Sequence, residues 1–529
     1  MTRGSNVMRR TILALPLALL LLAKAPNVFG APLDAPALAR HIDEAIDACL
    51  RVEKVAPSPR CEDAEFVRRV YLDIVGHIPP AEKAAAFLDS REPNKRAQLI
   101  EDLLASNEYG KHQADIWQAL LLQRTSDNRF ISFDKMTQWL EKAFNDNKPW
   151  DQMVRDILTA QGDMDDNGAV TYFLAHLTPD KLTDNATRVF LGVQLQCAQC
   201  HNHPFTKWKQ DEYWGMAAFF TKVRINGNPR QIARQGGTLV VSENGKGRPL
   251  PLPISAKRVP PKFLQGEQPQ LASSDAYRPV LAKWMTSPQN PYFSRAMVNR
   301  LWAQFFGRGL VNPIDDMHEG NPPSHPQLLA DLSAQFTASG FDVKQFIRAL
   351  CNSEAYQRTS KPNTSNRDAA PELFSRMAVK VLTPEQLYDS LVQVLGAPNP
   401  ENFRRRQGVA AAAAVRLRNI TPRMVFVAFF KGEDNAEPTE YQAGIPQVLR
   451  LMNSPQLNNT TMLAPLLKSG KTPEQIIEYL YLATLSRRPT APEMQRTLAL
   501  VHKHADEPRQ AYGDILWVLL NSSEFTLNH

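Results

Sequence analysis

Forty prolines cut this 529-residue chain into short pieces, and their placement limits the fold more than any other feature. Proline breaks a helix from within, but its fixed φ suits a helix's first turn. Many of these prolines stand beside runs in which apolar residues recur every three or four positions. Ile42, Ile46 and Leu50 form one such set, and Phe66, Val70 and Ile74 another. The same spacing marks 82–88, 96–104, 112–122, 135–144 and 151–158, with Asn, Asp, Gly and Pro between them. It resumes at 278–285, 294–306, 326–339, 343–353, 383–395, 472–485, 491–504 and 512–520. The reading is a mainly α protein of short helices on stiff connectors.

A chain this long exceeds one core. Residues 226–275 are rich in Gly, Pro and Lys, and their β-like run 238–242 precedes Asn244-Gly245, a hairpin signal. They read as a linker carrying a small β-hairpin between two helical domains, 31–225 and 276–529. Residues 403–432 stand apart, with Arg404 to Arg406, a run of alanines and the apolar stretch 424–430. An extended segment or strand packed on the helices is the expectation there.

Residues 1–30 read as a signal peptide. Arg3, Arg9 and Arg10 precede the apolar run 12–23, and Val28 to Gly30 lead to a cut before Ala31. The run is short for a membrane span, so an uncleaved N-terminal anchor is the alternative, and no later run is long enough to cross a bilayer. The expected location is periplasmic, cell-surface or extracellular. Removing the four basic residues of 1–30 (Arg3, Arg9, Arg10, Lys24) from a formal charge of +7 leaves +3. That balance gives no reason to expect nucleic acid as a partner.

The cysteines are Cys49, Cys61, Cys197, Cys200 and Cys351. In an oxidising compartment Cys49 and Cys61 are candidates for a disulfide across a Pro-rich turn, worth about 3 kcal/mol. Cys351, inside a helical run, reads as a buried apolar residue. Cys197-Ala-Gln-Cys200-His201 has the spacing of covalent c-type haem attachment: two thiols on one turn reach the two vinyl groups, and His201 becomes the iron's axial ligand. Phe190, Leu191, Val193, Phe205, Trp208, Tyr213, Trp214, Phe219 and Phe220 are the candidates for a dry pocket. Met216 and His325 are candidate sixth ligands, whereas His203 lies too close to His201. Zinc or another divalent metal held by Cys197, Cys200, His201 and His203, a redox disulfide, and a structural bridge stay open beside haem.

Two further clusters bear on chemistry. Asp163 to Gly168 matches the first half of a calcium loop but lacks the closing glutamate, Leu174 standing there, so it reads as a solvated turn. Asp315, Asp316, His318 and His325 form a carboxylate and imidazole set that would suit a metal-dependent enzyme. Helix caps and ion pairs with Arg300 or Arg308 are the alternative. Signatures of zinc proteases, serine hydrolases, phosphate loops and dinucleotide folds are missing.

The run from Arg188 through Cys197, Cys200, His201 and His203 to Phe205, with Tyr213 to Phe220 and the upstream Arg68 to Gly76, resembles the planctomycete secreted cytochrome-like domain. Val298 to Trp302, Phe306 to Val311, Pro322 to Pro326 and Leu519 to Phe525 resemble the partner domain that commonly follows it. The resemblance implies secretion, two mainly helical domains and cytochrome character, with no established substrate. Relatives often carry an additional N-terminal cytochrome domain; no second such motif occurs here, so an electron relay would need a separate redox partner protein. Association with polysaccharide machinery, as a scaffold or binding protein with structural cysteines, is a further implication by family analogy.

Overall fold

Capping side chains and early prolines set where the helices begin. Asp34 Oδ1 accepts the Ala37 N–H at 2.8 Å and opens α1 (Ala35–Glu53). In the computed structural model, residues 31–122, 133–203, 206–227, 238–244, 247–254, 256–396, 421–430 and 461–529 are described. The first domain continues with α2 (Asp63–Ile74), α3 (Ala81–Asp89), α4 (Lys95–Ala105), α5 (Asn107–Leu122), α6 (Phe133–Asn145) and α7 (Trp150–Thr159). It ends with α8 (Thr171–Ala175), α9 (Pro179–Leu191) and α10 (Gln210–Ala218). The expected apolar stripe is real: Ile42 and Ile46 of α1 are fully buried and Leu50 nearly so.

The second domain holds α11 (Arg278–Met285), α12 (Phe293–Phe306), α13 (Pro326–Ala338), α14 (Val343–Asn352), α15 (Glu354–Gln357), α16 (Pro384–Leu395) and α17 (Pro422–Phe430). It closes with α18 (Leu463–Leu467), α19 (Pro473–Leu485), α20 (Ala491–Lys503), α21 (Pro508–Leu520) and α22 (Ser523–Thr526). Thr383 and Gln386 cap α16 reciprocally, each side chain bonding the other's backbone N–H. Thr472 and Gln475 do the same for α19. Among the described residues no helix is long and apolar enough to cross a membrane; residues 1–30 lie outside them.

Two strands of the linker, β3 (Val240–Glu243) and β4 (Arg248–Pro249), join β1 (Gly162–Asp163) and β2 (Val223–Asn226) from the end of the first domain in a small antiparallel sheet of order β1–β3–β2–β4. The hairpin joins β2 to β3, with Ile225 opposite Val241. It does not use Asn244 as its turn: β3's other edge is taken by β1, so β4 pairs with β2 instead. Gly245 lies outside the described residues. Glu243, at the end of β3, accepts the backbone N–H groups of Tyr277 and Arg278 and pairs with the Arg278 guanidinium at 3.2 Å, binding the linker to α11.

Residues 421–430 are helical, which corrects the extended segment expected there. Thr421 Oγ1 accepts the Met424 N–H, Phe426 stacks on Phe430 at 4.3 Å one turn later, and Val427 and Phe430 are buried. An all-apolar run has no periodicity, so only its packing on α16 decides between helix and strand. Arg404 to Arg406 and the alanine run lie outside the described residues.

One apolar core runs from Ala35 of α1 to Met377 in the second domain. A second, from Leu382 to Phe525, also takes in Leu72 and Ile78 of the first domain. Polar groups on α2 strengthen that junction. Arg68, fully buried, donates to the carbonyls of Thr484, Glu524, Phe525 and Leu527 at 2.7–3.3 Å. Arg69 reaches Glu65, Tyr356 O, Arg358 O and His529 O. Asp73 accepts from Lys380 Nζ at 2.6 Å, Asn528 Nδ2 at 2.7 Å and the Tyr356 hydroxyl at 2.8 Å. Lys380 and Asn528 themselves face each other across β5 (Lys380–Val381) and β6 (Leu527–Asn528).

Candidate functional site

The segment Gln196–Gln199 is a single 3-10 turn, followed by Cys200, between α9 and α10. Gly192 ends α9 at φ +66°, a left-handed cap that glycine adopts freely. Ala198 is the turn's buried anchor, whereas Cys197, Cys200 and His201 are exposed, and both thiols are free. Two residues one turn apart on α10, Gln210 and Trp214, grip the motif. Trp214 Nε1 donates to Gln199 O at 3.1 Å, and Gln210 Nε2 donates to Gln199 O and Cys200 O at 3.1 and 3.0 Å.

His201 Nδ1 lies 2.8 Å from the Asn202 carbonyl. A carbonyl only accepts, so Nδ1 carries the proton and the lone pair resides on Nε2. Among the described residues nothing bonds to Nε2. A backbone carbonyl fixing the tautomer of an imidazole in this way is the arrangement seen behind metal-bound histidines. Two free thiols three positions apart and an adjacent histidine with its distal nitrogen open form a donor set that fits covalent haem.

A second layer lies beneath the turn. Asp180, Asp184 and Arg188 follow one another at four-residue spacing along α9. Gln199 Nε2 reaches Asp180, and the Tyr213 hydroxyl donates to Asp184 at 3.0 Å. Burial pushes the Asp184 carboxyl up to about 6, with the Tyr213 bond pulling against it. Arg188 continues the stripe into the second domain, at 3.1 Å from Asp315, whose other oxygen accepts from Gln194 at 2.8 Å. Met317 N–H bonds Gly192 O, and Lys207 pairs with Glu319 at 2.6 Å, so the second domain braces the turn on both sides.

These contacts dissolve the supposed metal cluster. Asp315 holds Arg188 and Gln194. His318 sits 3.5 Å from Asp316, and buried His325 bonds Ser324 and lies against the Phe374 ring. No group of three or more His, Cys, Asp or Glu side chains converges on a metal-sized site among the described residues. The His203 Nδ1 accepts the Thr206 N–H at 3.1 Å. Asp163 Oδ1 accepts the Asp165 and Asp166 N–H groups, as a turn residue does.

The apolar pocket expected from the flanking aromatics is not an open cleft. Phe190, Trp208, Tyr213, Trp214, Phe219 and Phe220 are at most 3% exposed and packed in the core, Phe219 stacking on Phe263. Phe205 lies outside the described residues. Met216 is 1% exposed within the same core, and neither it nor His325 is offered at the exposed surface of the turn. The Cys49–Cys61 disulfide is not formed: buried Cys61 points its sulfur at Arg69 and Arg96, both 3.9 Å away. Cys351 is buried, as its helical context implies.

Sequence reasoning missed the α9 stripe and the bracing by Asp315. The four-residue spacing of Asp180, Asp184 and Arg188 was the available signal; the partner across the domain junction had none.

No curated protein and no solved structure matches the chain. Comparison with protein families matches residues 41–225 to PSCyt2, a protein of unknown function (DUF1549), and residues 277–501 to PSD1, a protein of unknown function (DUF1553). The first match covers the exposed cysteine turn and the second covers the residues that brace it, so the chain belongs to the family in which a PSCyt2 domain is followed by a PSD1 domain.

Proposed function

We propose that this is an exported electron carrier holding a covalent c-type haem at the Cys197–His201 turn. The observation that carries the reading is the His201 tautomer, held by the Asn202 carbonyl with Nε2 free beside two free, exposed thiols. Cys197 and Cys200 are the residues that would hold the group through thioethers, and His201 would be its axial ligand. When bound, haem supplies a reversible one-electron couple. The chain's own part is to hold the donors still. Gln210 and Trp214 fix the carbonyls of Gln199 and Cys200, and the Asn202 carbonyl orients the imidazole.

Exposure of the turn favours exchange with a separate redox protein over small-molecule chemistry in a closed pocket. Export is part of the proposal, since this attachment chemistry belongs outside the cytoplasm and residues 1–30 have the features of a signal peptide.

The test is expression in a host with a cytochrome c maturation system, followed by a haem-stained denaturing gel. The stain is expected to survive acid–acetone and to vanish in the double variant Cys197→Ala, Cys200→Ala. His201→Ala should keep the attachment but shift the Soret band. Unstained wild-type protein whose two turn cysteines both alkylate would end the proposal.

A further inference from the structure

The fully buried tyrosines among the described residues are Tyr109, Tyr172, Tyr213 and Tyr356, and their hydroxyls differ in what they face. The Tyr109 hydroxyl has no hydrogen-bond partner, and that of Tyr172 reaches the Leu182 carbonyl at 3.5 Å. Tyr356 donates to Asp73, but Lys380 and Asn528 already hold that carboxylate, and the rings beside Tyr356 are Phe305 and Phe306. Tyr213 stands apart. Its hydroxyl lies 3.0 Å from Asp184 Oδ1 and 3.3 Å from the Asp180 carbonyl, and Arg188, one turn beyond Asp184, pairs with Asp315. Its ring meets the Trp214 indole edge-on, with centroids 5.1 Å apart.

Trp214 connects this pair to the cysteine turn, its Nε1 donating to the Gln199 carbonyl at 3.1 Å. Indole and phenol are side chains that can give up a single electron. A carbonyl cannot take the indole proton, so an electron vacancy on Trp214 would remain a buried positive charge, which is costly. Passing the vacancy to Tyr213 removes that cost. A phenol that has lost one electron is a strong acid, and a carboxylate within hydrogen-bond reach accepts its proton. The Tyr213 ring is 0% exposed, which keeps solutes from quenching the product.

We propose that Tyr213 is a redox-active tyrosine, reached through Trp214 from a one-electron acceptor at the cysteine turn, with Asp184 as its proton acceptor. One electron leaves Tyr213 and reduces the acceptor by one. The Oη–H bond breaks, an O–H bond forms on Asp184 Oδ1, and a neutral phenoxyl and a neutral carboxyl remain. Return of the electron reverses both transfers. The acceptor is a high-potential one-electron oxidant. Its presence in the cell rests on the redox reading of the turn, whereas the tyrosine and carboxylate pair needs no haem, so the test supplies its own oxidant.

A ruthenium polypyridyl photo-oxidant attached to Cys197 of the full, haem-free chain, in a Cys49→Ser, Cys200→Ser background, delivers the vacancy at the turn. Flash oxidation with an external quencher is read by electron paramagnetic resonance and transient absorbance. A phenoxyl signal is expected, lost in Tyr213→Phe and unchanged in Tyr356→Phe. Asp184→Asn should cut the yield at least about tenfold, the worth of a hydrogen bond to a charged acceptor. A pH profile of the labelled parent needs no buried variant. The groups facing Asp184 are Asp180 and Arg188 from α9 and Tyr213 from α10, with Cys200, serine in this background, facing Tyr213. Asp184 takes up its own proton as pH falls through about 6, so the phenoxyl yield should fall with it. No phenoxyl signal, a signal that survives Tyr213→Phe, or a yield indifferent to both Asp184→Asn and pH would overturn the assignment.

Discussion

Arg68, Arg69 and Asp73 sit close together on α2 with their polar groups engaged, whereas Cys197, Cys200 and His201 sit close together on a turn and leave two thiols and a ring nitrogen facing solvent. Both are conspicuous in the sequence. The first is a knot: the guanidiniums reach into the other domain and satisfy carbonyls at the chain's C-terminal end, which would be costly to bury alone. The second is bonded through its backbone while its reactive atoms are spared. The contrast separates residues that assemble the fold from residues available for chemistry, and burial with satisfied partners is the mark that distinguishes them.

Three measurements can break or sharpen that contrast. The largest effect belongs to Arg68→Met, which strands four carbonyls, two of them buried, and should cost about 4 kcal/mol in denaturant unfolding. A loss below about 1 kcal/mol would show that α2 is not tied to the C-terminal end as described.

Next comes acidification. Burial pushes His112 down to about 3 and His176 down to about 4. The unfolded chain, with histidines near 6.5, takes up protons first, so stability is full above that value and declines as pH falls toward the folded values. Asp115 and Asp184, both pushed up to about 6 by burial, act in the opposite direction. The readable quantity is therefore a difference: His112→Phe should lose about 1.4 kcal/mol less than wild type between about pH 7.5 and about pH 5.5. Parallel curves would mean that His112 reaches solvent.

The smallest effect is at the surface. Exchanging both turn cysteines for serine should change unfolding stability by less than about 0.5 kcal/mol. In wild-type protein prepared without haem, Cys197 and Cys200 should alkylate quickly, as followed by mass spectrometry, while Cys61 and Cys351 should need unfolding first. Slow reaction at the turn would place it among the structural elements instead.

Most helices were legible because apolar spacing and caps are local. Ile42, Ile46 and Leu50 need no knowledge of the rest of the chain to mark a buried stripe. The run 424–430 was not legible, since unbroken apolarity suits a buried strand or helix equally. Asn244-Gly245 misled for a different reason: a turn signal names a bend, while the pairing of β3 with β1 depended on residues far upstream. The cysteine motif was found by spacing alone, but the flanking aromatics look the same whether they line a cleft or fill a core.

By itself the sequence determined the helical class, the two-domain pairing and the one turn where two thiols and an imidazole stand together, because each is written in neighbouring residues. Tertiary structure alone decided that Asp315 braces that turn rather than binding metal, and that Cys61 faces arginines rather than Cys49. It also decided that the Tyr213 hydroxyl meets Asp184 beneath the turn. Those outcomes depend on which distant groups arrive to satisfy a charge or accept a hydrogen bond, and no local pattern records who arrives.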